Sequence, residues 1–118
     1  MATAEYPTAF TVEDFTTNLG RVHQRIDVAR RRSPFDQPVR LLPVSKTVPA
    51  DRLALAIEAG CTSLGENKAQ EAYRKWQALG STGVAWSVIG HLQTNKAKLV
   101  AECSSEFQAL DSLRLAEA

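Results

Sequence analysis

The sequence predicts an α/β fold built from parallel βα units, with one helix ahead of about four strand–helix repeats. Three observations predict it. Short, almost continuously apolar runs alternate with longer stretches whose apolar residues recur every three to four positions. Glycine or proline sits at several of the boundaries between them. Each apolar run ends at polar residues, and such alternation of short strands with helical patterns marks βαβ units and a parallel sheet.

The leading helix opens at Thr11, with Asp14 three residues on, a capping-box pattern. Val12, Phe15, Leu19, Val22, Ile26 and Ala29 then form one apolar stripe, while Arg21, Gln24 and Arg25 lie off it. Arg30, Arg31 and Arg32 close the helix, where cations suit the negative end of its dipole. Residues 33–38 make a turn. Residues 39–44 read as a strand covered on both faces. Lys46 stands just beyond that run, and Pro49 suits the first turn of a helix whose buried stripe is Leu53, Ala56 and Ile57, with Gly60 ending it.

Residues 61–65 are the second strand candidate, followed by Glu66 and Asn67. The helix over about 69–79 presents Ala72, Tyr73, Trp76 and Leu79, and Gly80 stops it. Residues 84–89 are the third strand, with Gly90 and His91 after it. A shorter helix covers 95–102. Residues 106–110 are the fourth strand, followed by Asp111, Ser112 and the opening turns of another helix. An open doubly wound sheet and a (β/α)₈ barrel both begin this way, and a whole barrel needs about 250 residues.

Composition narrows the function. Across 118 residues the formal net charge is +1, with 44% hydrophobic and 23% charged residues, as in an ordinary globular protein. That balance gives no reason to expect bulk binding to nucleic acid or acidic membranes. Residues 1–10 lack a basic segment followed by an apolar one, so no secretory signal is read there. No apolar run approaches the roughly 18 residues of a membrane span. Cys61 and Cys103 lie far apart in apolar or helical contexts and read as buried free thiols, which favours a reducing, cytoplasmic setting. There is no GxGxxG, no P-loop and no interleaving of aromatic and basic residues. Trp76 and Trp86 fit packing positions, and His23, beside the first stripe, reads as structural.

Chemistry collects after the strands, where a barrel places its active site. Lys46, Glu66 with Asn67, Gly90 with His91, and Asp111 with Ser112 occupy the four strand ends. A lysine at the mouth of an apolar strand is partly desolvated, leaving more free amine to attack an aldehyde. A surface lysine reaching into water is the alternative reading. His91 has the chemistry of a base, a ligand or a hydrogen-bond donor, or of a structural histidine.

Four ordered stretches resemble one known family. Leu42-Pro43-Val44-Ser45-Lys46-Thr47 is similar to the strand-plus-lysine motif of the YggS/PROSC family of pyridoxal-phosphate-binding barrels. Gly65-Glu66-Asn67 with Gln70-Glu71 resembles its second motif. Trp86 and Ile89-Gly90-His91-Leu92-Gln93-Thr94-Asn95-Lys96 resemble its third, and Ala109-Leu110-Asp111-Ser112 its fourth-strand region. Pro43 departs from the pattern, standing where alanine or valine is expected and removing one donor from a strand ladder.

The resemblance implies a (β/α)₈ TIM-barrel family fold of the alanine-racemase N-terminal-domain type. It implies pyridoxal 5′-phosphate held as a Schiff base on Lys46, with Asn67 and His91 near the cofactor; no metal is expected, because two cysteines without close histidines make no zinc pattern. It also implies a carrier in intracellular cofactor homeostasis rather than a catalyst, with PLP-dependent apoenzymes as recipients. A racemase- or decarboxylase-type enzyme on the same barrel and a non-binding fragment are the alternatives.

Barrel phosphate sites are frequently built after strands seven and eight. The present residues account for half a barrel, and the helical pattern after Ser112 runs to Ala118. Residues 1–118 are therefore expected to be the N-terminal portion of a single barrel domain, a truncated half barrel whose other half is absent. Such a fragment is expected to bind weakly and to self-associate through open edges.

Overall fold

A computed structural model describes residues 6–118; the first part of the segment read for a secretory signal, residues 1–5, lies outside the described residues. Helix α1 spans Val12–Arg32 and α2 Ala50–Glu58. Strand β1, Ser63–Glu66, leads into α3, Ala69–Leu79, and a 3₁₀ turn at Gly80–Thr82. Strand β2, Ala85–Val88, is followed by a 3₁₀ turn at Thr94–Lys96 and α4, Ala97–Cys103. Strand β3, Glu106–Phe107, precedes α5, Leu113–Glu117.

The local signals act as the sequence indicates at several ends. Thr11 accepts the Asp14 N–H at 3.1 Å, and Asp14 reaches back to accept the Phe10 N–H at 3.0 Å. That backbone donor, the main cause, holds the Asp14 carboxyl below its ordinary range. Gly60, just past α2, takes φ +121°, a conformation open to glycine and strained for other residues.

The strands are parallel and ordered β1-β2-β3. Leu64 pairs with Trp86 and Glu66 with Val88, while Ser87 pairs with Glu106 and Val88 with Phe107. Because side chains alternate, Leu64, Glu66, Trp86 and Val88 share one face, and all four are buried beneath the helices. Two apolar clusters form there. One joins Leu53, Ala56, Cys61, Leu64, Leu79 and Trp86, with Phe15 and Leu19 of α1 against it. The other joins Ala69, Ala72, Val88, Leu92, Val100, Cys103 and Leu115. Trp86 is a packing residue as expected, and both cysteines are free and buried. Burial alone raises the Cys61 thiol above its ordinary value.

The expected strand over 39–44 is the main departure. It makes one parallel bridge, Val44 with Gly65, rather than a ladder. Gly65 donates to the Pro43 carbonyl at 2.8 Å, and Ser45 donates to the Gly65 carbonyl at 2.9 Å. Pro43 has no N–H to give, and β1 is the strand this segment bridges to. Its faces are not both covered: Val39 and Val44 are each 49% exposed. The fourth strand is likewise shorter than expected. His23, expected as structural, is exposed on α1. Among the described residues no helix is long and apolar enough to cross a membrane.

Candidate functional site

Three parallel segments end side by side, and the hydrogen bonds between them bring their following residues together. Ser45 on Gly65 fixes the start of the loop that carries Lys46. Ile89 donates to the Glu66 carbonyl at 2.9 Å, which sets Gly90 beside Asn67. The approach there is close. A Cβ added to Gly90 would collide with the Asn67 carbonyl oxygen and lie 3.1 Å from its carbonyl carbon. Glycine is required at this position by space.

Two clefts open at this end of the sheet, each of about 310 Å³. The first is walled by Lys46, Thr47, Glu66, Asn67, Lys68 and Glu71. The second shares Asn67 and Lys68 and runs on to His91, Leu92, Gln93 and Lys96. Lys46 and Asn67 thus face one space, and Asn67 and His91 the next. A volume near 300 Å³ is at the lower end for a small-molecule site. A larger cleft of about 480 Å³, walled in part by Thr47, Glu71 and Lys75, lies between the start of α2 and α3.

Lys46 is exposed, as the surface-lysine reading has it, and the partial desolvation of the other reading is absent. The cause is the uncovered segment before it, which offers no second apolar wall. Its backbone is nonetheless constrained. Val48 donates to the Ser45 carbonyl at 3.2 Å, closing a turn with Lys46 and Thr47 at its centre. Thr47 takes φ +64°, a left-handed conformation rare for a β-branched residue and costing about 1–3 kcal/mol.

His91 is exposed, and its Nδ1 lies 3.4 Å from the Asp111 carboxylate, joining the ends of β2 and β3. Both partners are solvated, so this pair contributes at most about 1 kcal/mol. Among the described residues no group of histidine, cysteine, aspartate and glutamate could hold a metal.

The sequence did not reveal what lies beneath the turn. Lys75, on α3, is 4% exposed and Glu66 only 1%. The Lys75 ammonium donates at 2.8 Å to the Glu66 carboxylate and at 2.8 Å to the Ser45 carbonyl. The Ser45 hydroxyl donates to the same Glu66 oxygen. A usable signal existed: Lys75 is three residues after Ala72 and four before Leu79, on the buried stripe itself. Glu66 likewise alternates with Leu64 onto the helix-facing side.

The opposite face of the sheet carries a second polar group. Glu106 accepts from Gln108 at 2.6 Å, from Arg40 at 2.9 Å and from Ser87 at 2.8 Å. Donation from Gln108, then from Arg40 and Ser87, holds its carboxyl at about 2 against an ordinary 4.5. A folded pKa below the unfolded one gives stability that is present above the unfolded value and lost as pH falls through the folded one. The stability difference between the native chain and Glu106→Gln is therefore expected to be full at neutral pH. It should shrink between pH 4.5 and about 2, as read from urea midpoints.

No family model matches the chain. Known proteins do. It is 43% identical over 111 residues to the pyridoxal phosphate homeostasis protein of Escherichia coli K12, a match covering 89% of this chain and 47% of that one. The protein of the same name from Haemophilus influenzae is 41% identical over 103 residues, covering 85% of this chain and 44% of its own length. Over that shared part, the chain is similar to these pyridoxal phosphate homeostasis proteins. It spans a little under half the length of these relatives.

Solved structures are similar over the same part of the chain. PipY of Synechococcus elongatus, described with PLP bound, superposes with a TM-score of 0.65 at 35% identity, over 81% of this chain and 45% of that one. A Bifidobacterium adolescentis protein of unknown role superposes at 0.78 with 27% identity, over 95% of this chain and 51% of that one. The α/β expectation is met: a parallel sheet flanked by helices, matching part of the longer relatives' folds. Its three strands and one bridged segment correspond to the arc of a partial (β/α) barrel.

Proposed function

We propose that this chain supplies the lysine-bearing side of a pyridoxal 5′-phosphate site, with Lys46 as the residue that holds the cofactor. The observation that carries this reading is the convergence of Lys46 and Asn67 on one cleft, next to a second that Asn67 shares with His91. The bound PLP described for PipY supports it.

The donor set fits one side of the group. Pyridoxal phosphate supplies an electrophilic aldehyde carbon when bound. Lys46 offers an exposed amine to it, Asn67 an amide able to donate or accept beside a ring substituent, and Lys68 a cation at the shared wall of both clefts. His91 lines the farther cleft, within the site but away from the lysine's own space. An exposed lysine alone grips a phosphate weakly, because water and salt screen it. Residues 1–118 are thus one portion of a single barrel domain, and the firmer phosphate contacts belong to the other portion.

A carrier role in cytoplasmic cofactor homeostasis follows, with release to PLP-dependent apoenzymes. Racemase or decarboxylase turnover needs a second positioned acid/base group. His91 is the candidate, but its ring is exposed and engaged with Asp111. The carrier reading is therefore preferred. The exposed apolar side chains of Val39 and Val44 favour self-association of this portion alone.

Equilibrium titration with pyridoxal phosphate, followed by reduction with borohydride, tests the reading. The native chain is expected to retain the label after gel filtration, and Lys46→Ala to lose it entirely. Equal retention by the two would refute the role given to Lys46.

A further inference from the structure

Lys75 and Glu66 form a buried ion pair to which the proposed cofactor role assigns no function, although Glu66 walls the first cleft and Lys75 the larger one. Stability is a poor reason for it. Removing two charges from water costs several kcal/mol per ion, and well-packed apolar residues of similar volume often do as well or better. What distinguishes this pair is its second acceptor. The same ammonium that meets Glu66 also holds the carbonyl of Ser45 at 2.8 Å. That carbonyl is the one that accepts from Val48 and closes the turn carrying Lys46.

The turn needs such an anchor. A turn with a left-handed residue at its third position ordinarily uses glycine or asparagine there. Here the residue is Thr47, at φ +64°. Left to itself, a threonine leaves that conformation, and the direction in which Lys46 departs from the backbone changes with it. Ser45 is held from three sides. Its N–H donates to Gly65, its hydroxyl donates to Glu66, and its carbonyl accepts from Lys75. Little of Ser45 is left free, at 1% exposure, while its neighbour Lys46 is exposed.

The geometry points to Lys75, acting through Ser45 and with Glu66 as its counter-charge, as a positioning residue. It holds the strained Ser45–Val48 turn so that Lys46 is presented to the cleft. This rests on the reading of Lys46 as the cofactor lysine, but the state of the turn can be read without any cofactor. Lys75 itself is not a second aldehyde-reactive amine, because it is buried and both its recorded contacts are acceptors.

The test compares the native chain, Lys75→Met/Glu66→Gln, and the same double variant carrying Thr47→Gly. The double substitution removes both charges together and keeps the volume. Two quantities are measured: hydrogen exchange at the Val48 amide without cofactor, and the rate at which pyridoxal phosphate with borohydride labels Lys46. Loss of one net hydrogen bond corresponds to about a tenfold change in an equilibrium. Val48 exchange should therefore rise about tenfold in the double variant, and Lys46 labelling should slow by a similar factor. Thr47→Gly should restore both, because glycine holds the left-handed conformation without help.

Unchanged exchange and labelling in the double variant would overturn the proposal, as would a failure of Thr47→Gly to rescue. If the native chain does not label at Lys46 while Val48 exchange responds as described, the cofactor reading fails and the anchoring stands. Should the double variant lose its cooperative thermal transition, Lys75→Arg carries the same comparison with the counter-charge kept. Its guanidinium is larger and planar, and does not concentrate its donors on one atom between the two acceptors. Faster Val48 exchange there supports the proposal, and no change refutes it.

Discussion

Replacing Lys75 by alanine will destabilise the chain by about 3–5 kcal/mol, the usual cost of stranding one partner of a buried pair. Glu66 would be left 1% exposed, with the Ser45 hydroxyl as its remaining recorded donor. The Ser45 carbonyl would lose its ammonium at the same stroke. Against a total stability of about 5–15 kcal/mol for a small domain, this removes a large fraction. Urea unfolding followed by tryptophan fluorescence is suited to it, because Trp86 is 1% exposed in the same buried layer. The contrast with Lys75→Met/Glu66→Gln is the informative part. Removing both charges should cost much less than removing one, and a double variant as unstable as Lys75→Ala would contradict this account of the pair.

Gly90→Ala is the second large effect. The new methyl would meet backbone atoms of Asn67 rather than the end of a flexible side chain, so the chain itself must give way. Overpacking of this kind costs about 1–3 kcal/mol. The displaced residue also walls both clefts, so weaker cofactor retention should accompany the lost stability. Gly65→Ala is the matched control. There an added Cβ would meet Leu42 and Ile89 side-chain carbons at 3.4 and 3.5 Å, an ordinary contact. A urea midpoint that falls for Gly90→Ala and holds for Gly65→Ala is the expected pattern.

The sequence made the order of elements and the end of the sheet legible, because both depend on local pattern. The helices at Ala50–Glu58 and Ala69–Leu79 follow from stripes and stop signals within their own residues. Lys46, Asn67 and His91 could be grouped because each follows an apolar run. Residues 39–44 were misread because a ladder needs a partner as well as an apolar run. Pro43 cannot donate, and the single bridge to Gly65 is what remains. The exposure of Lys46 follows from the same gap. Lys75 was hidden for a different reason. A lysine on an apolar stripe reads as solvated until Glu66, nine residues earlier, is seen to meet it. Whether two charges pair across a strand and a helix is set by packing, which periodicity does not encode.

The central claim is that Lys46 is singled out among the lysines of this chain by where the fold places it. Peptide mapping after pyridoxal phosphate and borohydride tests that most directly, since Lys68, Lys75, Lys96 and Lys98 compete for the reagent in the same tube. Label confined to Lys46, in stoichiometric amount, is the predicted result, with Lys75 protected by burial. Label spread over Lys68, Lys96 and Lys98, or absent from Lys46, would contradict it.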